Sequence, residues 1–523
     1  MPRELTYNAR VRKGSALVIA LGLTAGISCR SGPGHYVAAE VPEAELLKLV
    51  PAALSYAPQP VAEEQNRWTA LLTALEPRPS ITAEERIALD LVTSSPALGA
   101  DPKVARDLDS MIAKFEGSFA QARKALSRPE SSIGFLKGGE LPMKTMGPIR
   151  QLVSLAAKKG TFELTRGKVE AAIDDFELAL NLGLTVAEAE APFEYAVMAG
   201  SLISRAYREI RDAAWHPKMT ASGVERLIRI LPESESLHRS FKASVKSDFY
   251  WFIRNEVMRL KGPGANSRAD QDKSMSSRDY DSGWQQADDM AQTLLKDHPE
   301  PYDRKDTVIR AAALYQEMLD NIDRRWDQQT MIGETLGGLV AEWPVLVLSG
   351  ADSSHPAVKA EVEKSRPGLL KAVNPYGRFA VWYFIQLSRQ SVLIPFRNRS
   401  DLEATRLTLH LRKFEMENGR LPAQLTELGG MSGLAKLPDD PFTGTPFRYD
   451  PGRKRLWSAG QNGKDDGGRE APTLSATARD YVYALERVMP SPTTLPPMPG
   501  AFSTPQTKGR APIAGAPPMP QNR

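Results

Sequence analysis

Between Val41 and Arg399 apolar residues recur every three or four positions, and strand-like alternation is scarce. A period near 3.6 places such residues on one stripe of a helix, and the stripe needs a partner to cover it. This pattern restricts the stretch to helices packed on helices. Val104, Leu108, Met111, Phe115, Phe119, Ala122 and Leu126 define one stripe; Val308, Ala312, Tyr315, Leu319, Ile322 and Trp326 define another. Thr82-Ala83-Glu84-Glu85 has the form of a capping box, in which the Thr82 hydroxyl accepts the Glu85 N–H while the Glu85 carboxylate reaches back. Val345-Leu346-Val347-Leu348, between Trp343-Pro344 and Gly350, is compatible with either helix or strand.

Within this body, Pro148–Gly183 reads as a helical hairpin. Ile149, Leu152, Leu155, Ala156 and Phe162 mark its first helix; Val169, Ala172, Ile173, Phe176, Ala179 and Leu180 mark its second, after a break near Gly167-Lys168. Gly183 is expected to end the second helix in the left-handed cap conformation. Gly160, with Ala172, Phe176 and Ala179, resembles the small-residue contact of a tetratricopeptide repeat. No second copy follows at a spacing of about 34 residues, and arrays need at least three, so the hairpin is repeat-like only. Residues 262–283 are polar, Gly/Ser-rich and aperiodic, the composition of a mobile loop. Phe379, Val381, Trp382, Phe384, Ile385 and Leu387 form a dense apolar cluster after Asn374-Pro375-Tyr376-Gly377, read as a buried helix packing against the C-terminal part of the chain, with membrane contact as the lesser alternative. From Pro490 to the end the chain is Pro-rich and without period, the mark of a disordered tail.

The N-terminus bears on location. Arg3, Arg10, Arg12 and Lys13 precede an uncharged run, Gly14–Ser28, which is shorter than the roughly 20 residues of a membrane span and suits a secretory h-region. The basic flank stays on the cytoplasmic side, so the remainder of the chain is expected to be exported. The run ends at Ala25-Gly26-Ile27-Ser28-Cys29, which resembles a bacterial lipobox. That resemblance implies cleavage before Cys29 and its acylation, the acyl chains then serving as anchor. An uncleaved signal anchor and a plainly cleaved leader remain alternatives for residues 1–29. Cys29 is the only cysteine of the chain, which excludes an internal disulfide and a Cys-based zinc site. Lys and Arg total 67 against 63 Asp and Glu, a net charge of +4, which argues against nucleic acid as a partner.

From Asp401 to about Val482 the pattern changes. A helix carries Leu402, Leu407, Leu409, Leu411 and Phe414; Asn418-Gly419-Arg420-Leu421-Pro422 then forms a turn. Leu437-Pro438-Asp439-Asp440-Pro441-Phe442 makes an extended corner, because the residue before proline is pushed out of helix. Phe447 and Tyr449 alternate with Arg448 as in a short strand, Leu456-Trp457-Ser458 is its partner, and Gly460 to Gly468 is a Gly- and Asp-rich loop. The hairpin is expected to lie on the helix.

These motifs, in this order, resemble the globular domain of the type II secretion major pseudopilin. The whole chain is also similar to a class of exported planctomycete-type proteins in which a helical body precedes this ending. The resemblance implies a small α+β module over 401–483 and protein partners in the cell envelope. In that family the last loop binds calcium, which here implies Asn462, Asp465, Asp466 and Asp480 as candidate ligands. Asn462 stands where the family has Asp, and Asp480 arrives late in the chain; fewer anionic oxygens lower calcium affinity, and a metal-free tight turn is the alternative. No pilin processing site precedes the module, and the body 41–399 intervenes, so the chain is not expected to assemble as an ordinary pilus subunit.

A phosphate-binding Gly-rich loop, a Gly-x-Ser-x-Gly elbow and a His-Glu-x-x-His motif are all absent from the sequence. Asp174-Asp175 sits on a helix, where neighbours diverge by about 100°, and is expected on a solvated face. His410 is read as a surface or core residue, and His216-Pro217 and His298-Pro299 as element ends. The expected fold is mainly α: a helical-hairpin body, a small pseudopilin-like α+β module and a disordered tail. The expected function is a non-enzymatic, membrane-tethered extracytoplasmic protein that binds other proteins, a secretion or pilus-like apparatus being the specific version; the alternative is an extracytoplasmic enzyme with its site in the body.

Overall fold

A computed structural model describes residues 41–56, 61–75, 79, 82–85, 102–132, 143–257, 302–329, 373–374, 376–378, 381, 392–430, 434, 436–469 and 480–486. Residues 1–40 with Cys29, the segments 262–283 and 490–523, Val345–Leu348, His298 and most of the Phe379–Leu387 cluster lie outside the described residues. The chain divides into two compact units, Met1–Ser80 with Ile112–Glu486, and Ile81–Met111 with Arg487–Arg523.

In the smaller unit the capping box forms as the sequence indicates. The Glu85 N–H donates to Thr82 Oγ1 at 3.2 Å, and the Thr82 N–H donates to Glu85 Oε2 at 2.9 Å. Ser110 Oγ adds a hydrogen bond to Glu85 Oε1 at 3.3 Å.

The described residues are mainly helical, with one small antiparallel sheet. Helices α1 (Glu43–Leu47), α2 (Arg67–Ala74) and α3 (Pro102–Leu126) are followed by α4 (Met143–Thr165), α5 (Val169–Glu188) and α6 (Phe193–Ala214). Then come α7 (Ala221–Ile230), α8 (Ser234–Trp251), α9 (Arg304–Asp323) and α10 (Leu393–Asn418). The strands are β1 (Arg448–Asp450), β2 (Arg455–Ser458) and β3 (Tyr481–Ala484), in the order β1-β2-β3. Arg448 faces Trp457 across the first pair, and Leu456 faces Tyr483 across the second. Side chains cap several helix starts: Asn66 Oδ1 accepts the Trp68 N–H, Thr220 Oγ1 the Gly223 N–H, and Asp303 Oδ1 the N–H groups of Lys305 and Asp306.

The hairpin of α4 and α5 turns at Gly167, whose φ is 82°. Its close approach rests on Gly160: a Cβ there would lie 2.8 Å from the Ala172 carbonyl oxygen and 2.8 Å from the Phe176 ring. The second helix does not end at Gly183. It runs to Glu188, and Gly183 is instead a packing point, where a Cβ would lie 2.9 Å from Ile203 Cγ1 of α6. The chain turns later, at Glu190 with φ 50°. The expectation for Asp174-Asp175 fails at one of the two residues. Asp174 is exposed, but Asp175 is 1% exposed and takes Arg123 at 2.5 Å and Lys159 at 3.2 Å. Neighbours 100° apart on a helix meet different surroundings, and here one of those surroundings is the interior.

A longer range of contacts joins α4, α6 and α10. Lys158 of α4 donates to Glu209 of α6 at 2.5 Å, with Lys158 3% and Glu209 4% exposed, and Thr161 donates to the other Glu209 oxygen at 3.1 Å. Arg205 donates to Ser154 at 2.7 Å. On the other side of α6, Ser204 donates to Asp401 at 2.6 Å, and Arg211 donates to Thr405 at 2.7 Å. Tyr483 of β3 completes this set by donating to Asp401 Oδ1 at 3.1 Å, with the Arg211 guanidinium over its ring at 4.9 Å. Buried polar groups that find such partners avoid the desolvation cost of being left alone.

Helix α10 belongs to two apolar cores. Phe396 lies with Phe193, Phe249, Tyr315, Met318 and Phe442 in one core. Leu407, Leu411 and Phe414 lie with Leu428, Phe447, Leu456 and Tyr483 in the other. The division expected between 399 and 401 therefore falls inside one unbroken helix. That helix stops where the sequence indicates: Gly419 has φ 69°, its N–H donates to the Glu415 carbonyl at 2.8 Å, and Asn418 Nδ2 donates to the Phe414 carbonyl at 2.9 Å. The hairpin β1–β2 forms as expected. β3 adds a third strand beyond the expected hairpin, paired with β2 from later in the chain, where Trp457 meets Val482 and Ser458 meets Tyr481.

Candidate functional site

Three places hold polar groups that packing alone does not require. The first is the C-terminal loop. Its frame is Asp440, 2% exposed, which accepts the N–H groups of Phe442 (3.0 Å) and Ala459 (2.9 Å) and the Ser458 hydroxyl (2.8 Å). Burial pushes this carboxyl up, against the pull of those donors. The residues Gly460–Asn462 form a short 3-10 turn closed by Gly463 at φ 63°.

The four candidate calcium ligands all lie around this loop, but most of their side-chain oxygens are directed at N–H donors. Asp480 is 3% exposed and accepts the Asp466 N–H at 3.2 Å and the Gly468 N–H at 2.7 Å, one on each oxygen. Burial raises its carboxyl, the charges of Asp465 and Asp466 add to the rise, and the two N–H groups oppose it. Asp465 Oδ1 accepts Trp457 Nε1 and the Gly467 N–H, each at 2.9 Å, and its Oδ2 lies 3.4 Å from Arg448. Partial burial would raise Asp465, but these bonds and the Arg448 charge outweigh it and hold the carboxyl below the usual range. Asn462 Nδ2 donates to Asp466 Oδ2 at 2.9 Å, and Asn462 Oδ1 accepts the Lys464 N–H at 3.0 Å. Calcium wants six to eight oxygens converging at about 2.3–2.6 Å. Among the described residues no group of three His, Cys, Asp or Glu side chains is arranged to hold a metal ion. As placed, these residues do not fit the ion.

The second place is a basin of about 520 Å³ along α8. Glu235, His238, Arg239, Lys242, Ala243 and Lys246 line one face, with Asp323 from the end of α9 and Tyr56 and Glu190 opposite. Asp323 takes His238 Nε2 at 2.8 Å and Lys242 Nζ at 2.6 Å. Its partial burial would raise the carboxyl, but those two bonds and the positive charge of Lys242 and His238 hold it below the usual range. The Tyr56 hydroxyl donates to Glu190 Oε2 at 3.1 Å. Burial and the Glu190 charge raise the Tyr56 phenol far above its ordinary value. The basin sets Arg239, Lys242 and Lys246 against Glu190, Glu235 and Asp323.

The third place is a carboxyl pair at the start of α6. Asp248 accepts the Phe193 N–H at 3.1 Å and the Tyr315 hydroxyl at 2.5 Å, and burial raises it to about 6 against those donors. Glu194 is pushed up to about 7 by burial and by the charge of Asp248.

No family model, no curated protein and no solved structure matches this chain. Its chemistry therefore rests on its own residues. Cys29 lies outside the described residues, and among those that are described no helix is long and apolar enough to cross a membrane. His410 is fully buried in α10, and His216 follows the end of α6. Neither the basin nor the carboxyl pair was singled out by sequence. A charged face at 235, 238/239, 242/243 and 246 is visible as a helical stripe, but stripes of that kind usually face water. What makes it a basin is Asp323, Glu190 and Tyr56, which arrive from elsewhere in the chain.

Proposed function

We propose that this is a non-enzymatic, membrane-tethered extracytoplasmic protein that binds other proteins of the cell envelope, its C-terminal module being pseudopilin-like and its partners belonging to a secretion or pilus-like apparatus. The observation that carries the binding role is the basin on α8. A reaction chamber is normally a concave, mostly apolar site that buries its ligand and excludes water. This basin is instead lined by exposed, long, charged side chains such as Glu235 and Arg239. Charges of both signs arranged in this way supply specificity and register to a protein contact. The export and tether readings are supported by the basic, then uncharged, N-terminal sequence ending at Cys29. The module reading is supported by the ordered motifs of 418–468, together with a helix ended at Gly419 and a sheet laid on it. The repeat-like reading of the body is supported by the Gly160–Phe176 contact.

The test is capture of partners from envelope extract by the tethered protein and by the charge-reversed variant Arg239→Glu/Lys246→Glu. Secretion or pilus-like components retained by the first and lost by the second support the proposal. Recovery of no such component by either overturns its specific form. Full-length protein found in the cytosol, with its first residues intact and unlipidated, overturns the export reading.

One observation favours the alternative, an enzyme with its site in the helical body. Glu194 and Asp248 are both shifted toward neutrality by burial, and the Asp248 charge raises Glu194 further, as in the carboxyl pairs of acid–base sites.

A further inference from the structure

We infer that the C-terminal loop is latched by arginines in place of a divalent cation, so that its closure is independent of calcium. A metal in such a loop does two jobs: it neutralises clustered carboxylates, and it draws in carbonyl oxygens at the loop's end. Here the hairpin β1–β2 supplies both. Arg453 Nη2 donates to the Gly467 carbonyl at 2.7 Å, and Arg455 Nη1 donates to the Gly468 carbonyl at 3.1 Å. Arg448 Nε lies 3.4 Å from Asp465 Oδ2. Arg448 thus stands against the Asp465 carboxylate, while Arg453 and Arg455 hold the two carbonyls at the loop's end. The Arg453 guanidinium also lies over the Trp457 ring at 5.7 Å, and Trp457 Nε1 is the donor to Asp465.

The backbone is shaped to this latch. Gly467 and Gly468 have φ of 74° and 69°, the left-handed region open to glycine at little cost. A Cβ on Gly468 would lie 2.9 Å from Arg453 Nη2 and 3.2 Å from the Trp457 ring. The turn of the two glycines points their carbonyls at the arginines and the Gly468 N–H at Asp480. For calcium to enter, Asp480 must release two N–H groups and Asp465 must release Trp457, Gly467 and Arg448. Asn462 must also turn its amide oxygen from the Lys464 N–H. Each release gives up a hydrogen bond that the ion would have to replace.

The test is hydrogen exchange of the 464–468 amides in the full-length protein, in millimolar calcium and in EDTA. It is run on the unaltered chain, on Arg453→Gln/Arg455→Gln, and on the isosteric Asp480→Asn. The unaltered chain is expected to protect these amides equally in both solutions. Both variants are expected to exchange them roughly tenfold faster in either solution, the loss of a charge-assisted bond. Melting of the fold, followed in parallel, separates a local opening from general unfolding. Protection of the unaltered loop that appears only with calcium overturns the inference. So does unchanged exchange in the arginine variant.

Discussion

Replacing Lys158 with Met should remove about 3–5 kcal/mol of stability, the usual cost of breaking one partner out of a buried ion pair. Lys158 and Glu209 are 3% and 4% exposed and lie 2.5 Å apart, so neither charge has water to turn to. Methionine keeps the length of the lysine stem. Glu209 is left with only the Thr161 hydroxyl, at 3.1 Å. Against a typical total of about 5–15 kcal/mol, that loss is large. Glu209→Leu should cost a similar amount, since it leaves the ammonium group alone. The double variant removes both charges and puts apolar volume in their place. It should therefore fall well short of the sum of the single losses, by a coupling of roughly 2–3 kcal/mol. Urea unfolding followed by circular dichroism and by tryptophan fluorescence measures all four chains. Single variants costing under about 1 kcal/mol, or a double variant equal to the sum of the singles, would refute the reasoning.

Gly160→Val should destabilise the α4–α5 hairpin by about 1–3 kcal/mol, because its Cβ meets the Ala172 carbonyl, which is backbone and cannot rotate away; thermal denaturation checks it. Phe442→Ala should cost about 3–5 kcal/mol, since Phe442 is 1% exposed and packs between Trp326, Phe396 and Tyr481 at ring separations of 5.4, 6.1 and 5.4 Å; urea midpoints read the loss. The carboxyl pair gives stability a pH slope of definite sign. Raised folded values mean that the folded chain keeps protons the unfolded chain has already released, so this contribution is full below the ordinary carboxylate range. It is lost as pH climbs through about 6 for Asp248 and about 7 for Glu194. Glu194→Gln should flatten the slope between those values, and urea midpoints across a pH series would show an unchanged slope if the reasoning fails.

Much of the architecture is local and was legible in the residues themselves. The stripes through Leu108 and Phe119 and through Tyr315 and Leu319 are buried as their spacing requires. Thr82, Gly167 and Gly419 mark helix boundaries that form. Caps and periods depend on side chains within a few positions of one another, so sequence alone states them. Gly183 misled because a glycine serves equally as a helix stop and as a place where another helix approaches. Only the arrival of Ile203 distinguishes the two.

The sequence by itself indicated the helical character of the described body, the turn after Asn418 and the short hairpin after Phe447. Tertiary structure alone decided that α10 serves two cores, that Asp175 is interior, and that Asp323 and Glu190 make a basin of one face of α8. It also turned the carboxylates of 465, 466 and 480 toward backbone N–H groups, an indole, an amide and one arginine. The physical reason is range. A helix is written in intervals of three and four residues, whereas the bond from Ser204 to Asp401 joins positions 197 apart. Nothing in the spacing of either residue announces such a bond until packing brings the two helices together.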